Sequence, residues 1–134
     1  MPAVRLTWRG SALLAALAAA PAAAVGLGPL TADGATLSDR KGFYLTLINP
    51  YASQERYRLY SVETDSEVPV SRVLIPVDRP VLGPKSQRKI LIVDTGLAPG
   101  ETHSFRVCAE RVEPAGKALI HARVCSKLTA RRRG

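Results

Sequence analysis

The two cysteines of this chain, Cys108 and Cys125, flank a predicted β-hairpin that sets them opposite each other. Residues Thr102 to Val112 and Leu119 to Leu128 are predicted to form its strands, with turn residues at Pro114 to Lys117 between them. Directly opposed residues of antiparallel strands have Cα atoms about 4.5 to 5.5 Å apart, a separation that a disulfide can span. The sequence therefore predicts a disulfide between the two strands.

The same register pairs suitable side chains elsewhere in the hairpin. Apolar residues oppose apolar residues, and an acid opposes a base, which are the pairings that stabilise antiparallel strands. The pairs are Phe105 with Leu128, Ala109 with Val124, and Glu110 with Arg123.

The first 24 residues have the pattern of an export signal. Arg5 and Arg9 precede an apolar run of alanine and leucine at 11–20, and Ala22 to Ala24 supplies small residues for a signal peptidase. We expect cleavage after Ala24 and a periplasmic or secreted protein, in a compartment that permits disulfides. An uncleaved anchor is the alternative, although the apolar run is short for a membrane span. After cleavage we expect no membrane span.

The mature chain is short and basic. Removing 24 of the 134 residues leaves 110, enough for one domain at 25–130 and a basic tail at 131–134. Its 17 basic and 11 acidic residues give a net charge of +6. Such a charge suits nucleic acid, anionic lipid or acidic protein. Tyrosines and arginines around 44–60 can resemble a stacking surface, but an exported protein seldom meets nucleic acid, so we assign them to sandwich strands and expect no nucleic-acid partner.

The mature sequence indicates an all-β fold. Short apolar or alternating runs are separated by turn residues, and no stretch has a sustained helical period. Seven strands at this spacing predict an immunoglobulin-like β-sandwich. Five of them precede the hairpin, at Val25 to Leu30, Phe43 to Asn49, Gln54 to Glu63, Val68 to Val77 and Lys85 to Val93.

No pattern in the sequence points to catalysis or to a metal. His103 and His121, the two histidines, are interpreted as strand-surface residues without a partner at metal-ligand spacing. A Ser/His/Asp site stays open because such triads assemble from distant residues, but no nucleophile motif indicates one. Asp65 and Glu67 lie in a polar stretch where solvated charges are expected. We expect a protein that is not an enzyme and that holds no metal or cofactor.

Several stretches resemble the N-terminal immunoglobulin-like domain of periplasmic pilus chaperones, the PapD-like group of the usher pathway. Tyr44 to Asn49 and Pro80 to Ile90 match loosely, whereas Cys108 to Pro114 and Cys125 to Leu128 match more specifically. The latter resemble the F and G strands of the subgroup whose cysteines bridge those strands, with a lysine two residues after the second cysteine. The resemblance covers about 25–131.

This resemblance implies a chaperone-like protein of pilus biogenesis that binds subunits by β-strand addition. Lys127 matches the lysine that holds the C-terminal carboxylate of a pilus subunit. No arginine lies between Val25 and Asp39 to assist it, so we predict that Arg106, opposite Lys127, takes that part. Alternating apolar residues would fill the groove of the subunit. They are Ala118, Ile120, Ala122 and Val124.

Two alternatives remain at this level. The four apolar residues fit the domain's own core equally well, and Arg106 and Lys127 fit ordinary surface charges. The protein would then be a small secreted or envelope-associated immunoglobulin-like binding module with no chaperone activity. In either case we expect a protein partner, or a second copy of the chain, to cover an exposed edge strand.

Overall fold

A computed structural model describes residues 25–113 and 122–134, which form two β-sheets packed face to face. The predicted signal segment, the hairpin turn, Ala118, Ile120 and His121 lie outside these residues. The strands are β1 (Gly26–Gly28), β2 (Thr31–Thr36), β3 (Lys41–Ile48), β4 (Glu55–Val62), β5 (Val73–Leu74), β6 (Val81–Leu82), β7 (Gln87–Asp94), β8 (Thr102–Arg111) and β9 (Arg123–Arg132).

One sheet has four strands in the order β1-β3-β7-β5, and the other has five in the order β2-β9-β8-β4-β6. All neighbours are antiparallel except β2 and β9, which are parallel. The predicted all-β, immunoglobulin-like sandwich is therefore confirmed. No helix in the described residues is long and apolar enough to cross a membrane.

The core lies between the sheets because each long strand alternates apolar and polar side chains. In β3, for example, Phe43, Leu45 and Leu47 are buried while the residues between them are partly or fully exposed. In β8, Phe105 and Val107 are fully buried, and Phe105 meets the ring of Phe43 edge to face at 6.4 Å between centroids. Aromatic pairs in this geometry add to the stability that burial provides.

The start of the described chain contributes to both sheets. Strand β1 pairs with β3, and β2 then pairs with β9 in the other sheet, after a cis peptide bond between Gly28 and Pro29. The sequence analysis predicted a single strand at Val25 to Leu30 and no strand at Thr31–Thr36. It missed β2 because the segment Thr-Ala-Asp-Gly-Ala-Thr has no apolar alternation, and its pairing with β9 is a long-range contact.

Other strands differ in extent from the prediction. Of the predicted strand Val68 to Val77, only Val73–Leu74 pairs as a strand, consistent with the two prolines that limit its ladder. Strand β9 continues to Arg132, two residues into the run assigned to a basic tail, because β2 supplies a partner along that half. The hairpin register itself is confirmed, including Cys108 opposite Cys125.

Candidate functional site

Strand β9 has two neighbours along one half and a single neighbour along the other. Strand β2 begins opposite Lys127, whose N–H donates to the carbonyl of Leu30 at 2.8 Å. Before that point, Arg123 and Cys125 pair with β8 and have no strand on their other side among the described residues. Backbone groups alternate in direction along a strand, so those of Arg123 and Cys125 point toward this open side. We call residues 123–125 the open edge.

The apolar row predicted to bind a client begins at the open edge and is partly described. Val124 is half-buried and packs against the domain's own core, as the alternative interpretation expects. Ala122 is exposed just before β9 begins. The even-numbered residues of β9 face the core, where Leu128 and Ala130 are fully buried. By the same alternation, Val124 and Ala122 belong to the core side.

The predicted disulfide is present between Cys108 and Cys125, with an S–S distance of 2.08 Å and Cα atoms 4.0 Å apart. It lies on the outer side of the five-stranded sheet, opposite the core. The side chains around it come from β4, β8 and β9, and we call this surface the disulfide face. They are Arg58, Tyr60, Arg106, Glu110, Arg123 and Lys127.

Glu67 lies over the disulfide face and joins two arginines across it. Its carboxylate accepts from both Nη atoms of Arg123 at 2.6 Å and from Arg106 Nη2 at 3.2 Å. Hydrogen bonds from Arg123, then from Arg106, lower the pKa of Glu67 to about 2. Arg123 Nη1 also donates to the Tyr60 hydroxyl at 3.0 Å. Glu67 is exposed over 61% of its side chain, as the sequence analysis expected, but its two arginine partners were not predicted.

Arg106 and Lys127 lie directly opposite each other on the disulfide face, as the register predicted. Two like charges in this arrangement would repel. Arg106 is neutralised by Glu67, and its Nε and Nη2 also donate to the carbonyls of Glu63 and Ser66 at 3.0 and 2.9 Å. The Lys127 ammonium is exposed and has no ion-pair or hydrogen-bond partner among the described residues. Lys127 is therefore the available cation at the junction of β2 with the open edge.

A second polar cluster lies inside the sandwich near the start of β8. Asp94 is fully buried, accepts from Arg72 Nε at 3.3 Å and contacts His103 Nδ1 at 2.8 Å. Arg72 also donates to Glu101 at 3.0 Å. Hydrogen bonds from the Ala98 N–H and from Arg72 lower the pKa of Glu101. The cluster ties β5 and β7 to β8 and has the character of a structural network.

The interpretation of His103 as a strand-surface residue is wrong. Odd-numbered residues of β8 face the core, so the His103 ring stacks on Phe105 at 5.2 Å between centroids and is only 16% exposed. No group of three or more potential metal ligands occurs within residues 25–113 and 122–134.

Replacing Asp94 with asparagine is expected to lower the free energy of unfolding by about 2 kcal/mol, because a buried ion pair loses one partner while Arg72 keeps Glu101. Urea denaturation followed by circular dichroism measures this change. Asp39→Asn, at an exposed position, is the control and should unfold like the wild type. Equal midpoints for the two variants would show that the Asp94 charge does not stabilise the fold.

The tyrosines near the start of the chain do not form one stacking surface. Tyr44 is exposed on the outer side of the four-stranded sheet, Tyr57 is fully buried, and Tyr60 lies under Arg58 at 4.8 Å on the disulfide face. Aromatic platforms for nucleic acid place several rings along one groove. Because the rings are separated, we interpret these tyrosines as structural residues of the β-sandwich.

The comparisons with known proteins rest on structure. No family model matches the sequence, and no curated protein matches it. The E. coli chaperone DraB superposes with a TM-score of 0.66 at 20% identity, over 81% of this chain and 55% of DraB. The fold is PapD-like. The structure of the Salmonella enterica SafA pilin in complex with the SafB chaperone gives a TM-score of 0.67 at 20% identity, over 81% of this chain and 54% of the matched one.

A PapD-like domain of a human protein is also similar to this chain. The seventh ASH/PapD-like domain of human CEP192 superposes with a TM-score of 0.63 at 13% identity, over 84% of this chain and 87% of that domain. This chain thus spans about half the length of the matched chaperone chains and nearly the whole of an isolated PapD-like domain.

Proposed function

We propose that this protein binds protein clients by β-strand addition at β9 and acts as a chaperone-like protein of pilus biogenesis in the periplasm. The observation that carries the proposal is the open edge. The backbone groups of Arg123 and Cys125 point toward a side that β2 leaves uncovered. An uncovered strand edge pairs readily with another chain, and the added strand gains main-chain hydrogen bonds.

Side chains next to the open edge suit a client strand with a free C-terminus. Lys127 is a cation without a partner among the described residues, directly where β2 begins. A terminal carboxylate there would gain a charge-assisted hydrogen bond. In the sequence, Ala118 and Ile120 continue the alternation of Ala122 and Val124, and in this proposal they enter the groove of the client. The structural likeness to DraB and to the SafA–SafB complex supports this function.

A binding module with no chaperone activity is the second candidate. Two observations favour it: Val124 packs against the domain's own core, and an isolated PapD-like domain of CEP192 matches over 87% of its length. Such a module would use the same fold without receiving pilus subunits. Finding usher and pilin genes beside the coding sequence would favour chaperoning over this alternative.

Replacing Ile120 with aspartate is expected to reduce the binding of SafA pilin at least about tenfold, because a charge would have to enter an apolar groove. Isothermal titration of the purified protein with SafA pilin measures the effect. Leu37→Asp is the matched control, since Leu37 is 82% exposed in the loop after β2 and should tolerate the same change. Equal affinities for wild type and Ile120→Asp would show that Ile120 does not contact the client.

A further inference from the structure

An acidic loop, residues 63–67, is held on the disulfide face by two arginines. Arg106 donates to the carbonyls of Glu63 and Ser66 and to the Glu67 carboxylate, and Arg123 donates to Glu67 twice. Within the described part of the chain, every hydrogen bond between this loop and the sheet comes from these two guanidinium groups. The Glu67 carboxylate is therefore held over the sheet by charge, while the Glu63 N–H closes the loop at its base by donating to the Val68 carbonyl at 2.9 Å.

The Glu67 carboxylate is ionised, and its contact with Arg106 is the weaker of its two ion pairs. Its depressed pKa keeps it charged throughout the physiological range, so it always competes for the arginines. With 61% of the Glu67 side chain exposed, its single contact with Arg106 at 3.2 Å is of the solvent-screened kind that contributes little to stability, whereas Arg123 holds both carboxylate oxygens. A carboxylate from another molecule can therefore replace Glu67 at Arg106 at little cost.

Lys127 is the cation of the disulfide face that has no carboxylate partner among the described residues. Arg58 pairs with Glu110 at 3.6 Å, and Arg106 and Arg123 share Glu67. Arg106 lies opposite Lys127 and is held by a single weaker contact to the carboxylate, whereas Arg123 holds both of its oxygens. The unpaired charge of Lys127 could therefore be neutralised by a second carboxylate, with Arg106 opposite on the neighbouring strand.

We propose that Glu67 is an internal competitor for the carboxylate of a client, so that the acidic loop must release Arg106 before that carboxylate binds at Arg106 and Lys127. This inference rests on the proposed function, because it concerns the client's terminal carboxylate beside the open edge. Glu67 stays with Arg123 when the client binds, and Arg106 exchanges Glu67 for the client. Arg106 therefore has a carboxylate partner both in the free protein and in the client complex. This pairing explains how Arg106 can lie opposite Lys127.

The test compares two probe peptides, a hexapeptide of alternating valine and threonine with a free C-terminal carboxylate and the same peptide as its amide. Affinities are measured at low salt for the wild type and for Glu67→Gln, with Asp65→Asn as a matched control in the same loop. We expect Glu67→Gln to raise the preference for the acid over the amide about tenfold, because the competing charge is gone. Asp65→Asn should behave like the wild type.

An unchanged acid-to-amide ratio in Glu67→Gln would overturn the inference, and so would the absence of peptide binding to that variant. Lys127→Ala in the Glu67→Gln background should abolish the gain, whereas Lys89→Ala, on the other sheet, should keep it. Ile120→Asp separates this inference from the proposed function. If it binds SafA pilin like the wild type while Glu67→Gln shows the gain, the predicted contact of Ile120 with the client is wrong and the role of Glu67 as competitor is supported. If Ile120→Asp binds SafA pilin more weakly than the wild type and Glu67→Gln shows no gain in the preference for the acid peptide, only the role of Glu67 as competitor is wrong.

Discussion

Replacing Asn49 with aspartate is expected to lower the free energy of unfolding by about 4 kcal/mol, since a charge would replace a buried donor that faces carbonyl oxygens. The side chain of Asn49 is fully buried at the end of β3. Its Nδ2 donates to the carbonyls of Ser53 at 2.9 Å, Leu82 at 3.3 Å and Gly83 at 2.9 Å. An aspartate would turn an oxygen toward all three.

The other end of the Asn49 amide shows why asparagine is required there. Its Oδ1 accepts from the Tyr51 N–H at 3.0 Å and from the Tyr57 hydroxyl at 2.8 Å. Burial raises the pKa of Tyr57 to about 12, so the phenol remains a donor at any ordinary pH. Asparagine alone offers both a donor and an acceptor in this shape.

Urea unfolding at neutral pH measures the effect of Asn49→Asp. Gln54→Glu is the matched control because it makes the same amide-to-carboxylate change at an exposed position a few residues away. We expect the control to unfold within about 0.5 kcal/mol of the wild type. A similar stability for Asn49→Asp and the wild type would show that the three carbonyls do not depend on the amide.

Removing the disulfide by Cys108→Ser together with Cys125→Ser is expected to cost about 3 kcal/mol, because the bond closes a loop with a sequence separation of 17 residues. Cys108 is fully buried, so its replacement also places a hydroxyl out of contact with water. Urea unfolding with and without reductant measures both effects. Reductant should destabilise the wild type and leave the double variant unchanged. Equal wild-type stability in both conditions would contradict a stabilising bond.

The parts of the fold that follow from neighbouring residues were predictable from sequence. The hairpin of β8 and β9 is the best example, since its side-chain pairs fix one register and with it the disulfide and the opposition of Arg106 and Lys127. The parts that depend on distant residues were not predictable. Strand β2 has no apolar alternation and is defined by its contact with β9, which lies about a hundred residues later in the sequence.

In the candidate site, too, some residues could be predicted from the sequence and others could not. Lys127 was predicted from the resemblance to the G strand of pilus chaperones, and the structure places it beside the open edge. Glu67 was missed because no local pattern distinguishes an acid that reaches Arg123, 56 residues later, from one that faces water. His103 was misassigned because the phase of β8 puts it on the core side, next to the buried Asp94.

The central claim is strand addition at the open edge, and amide hydrogen exchange on a complex tests it most directly. The protein is mixed separately with SafA pilin and with CsuE, the tip subunit of the CsuC–CsuE complex. If a client strand pairs with β9, the amides of Arg123 and Cys125 should exchange quickly in the free protein and at least about a hundredfold more slowly in the complex. Failure to bind either subunit, or a complex in which both amides exchange at the free rate, would contradict the account.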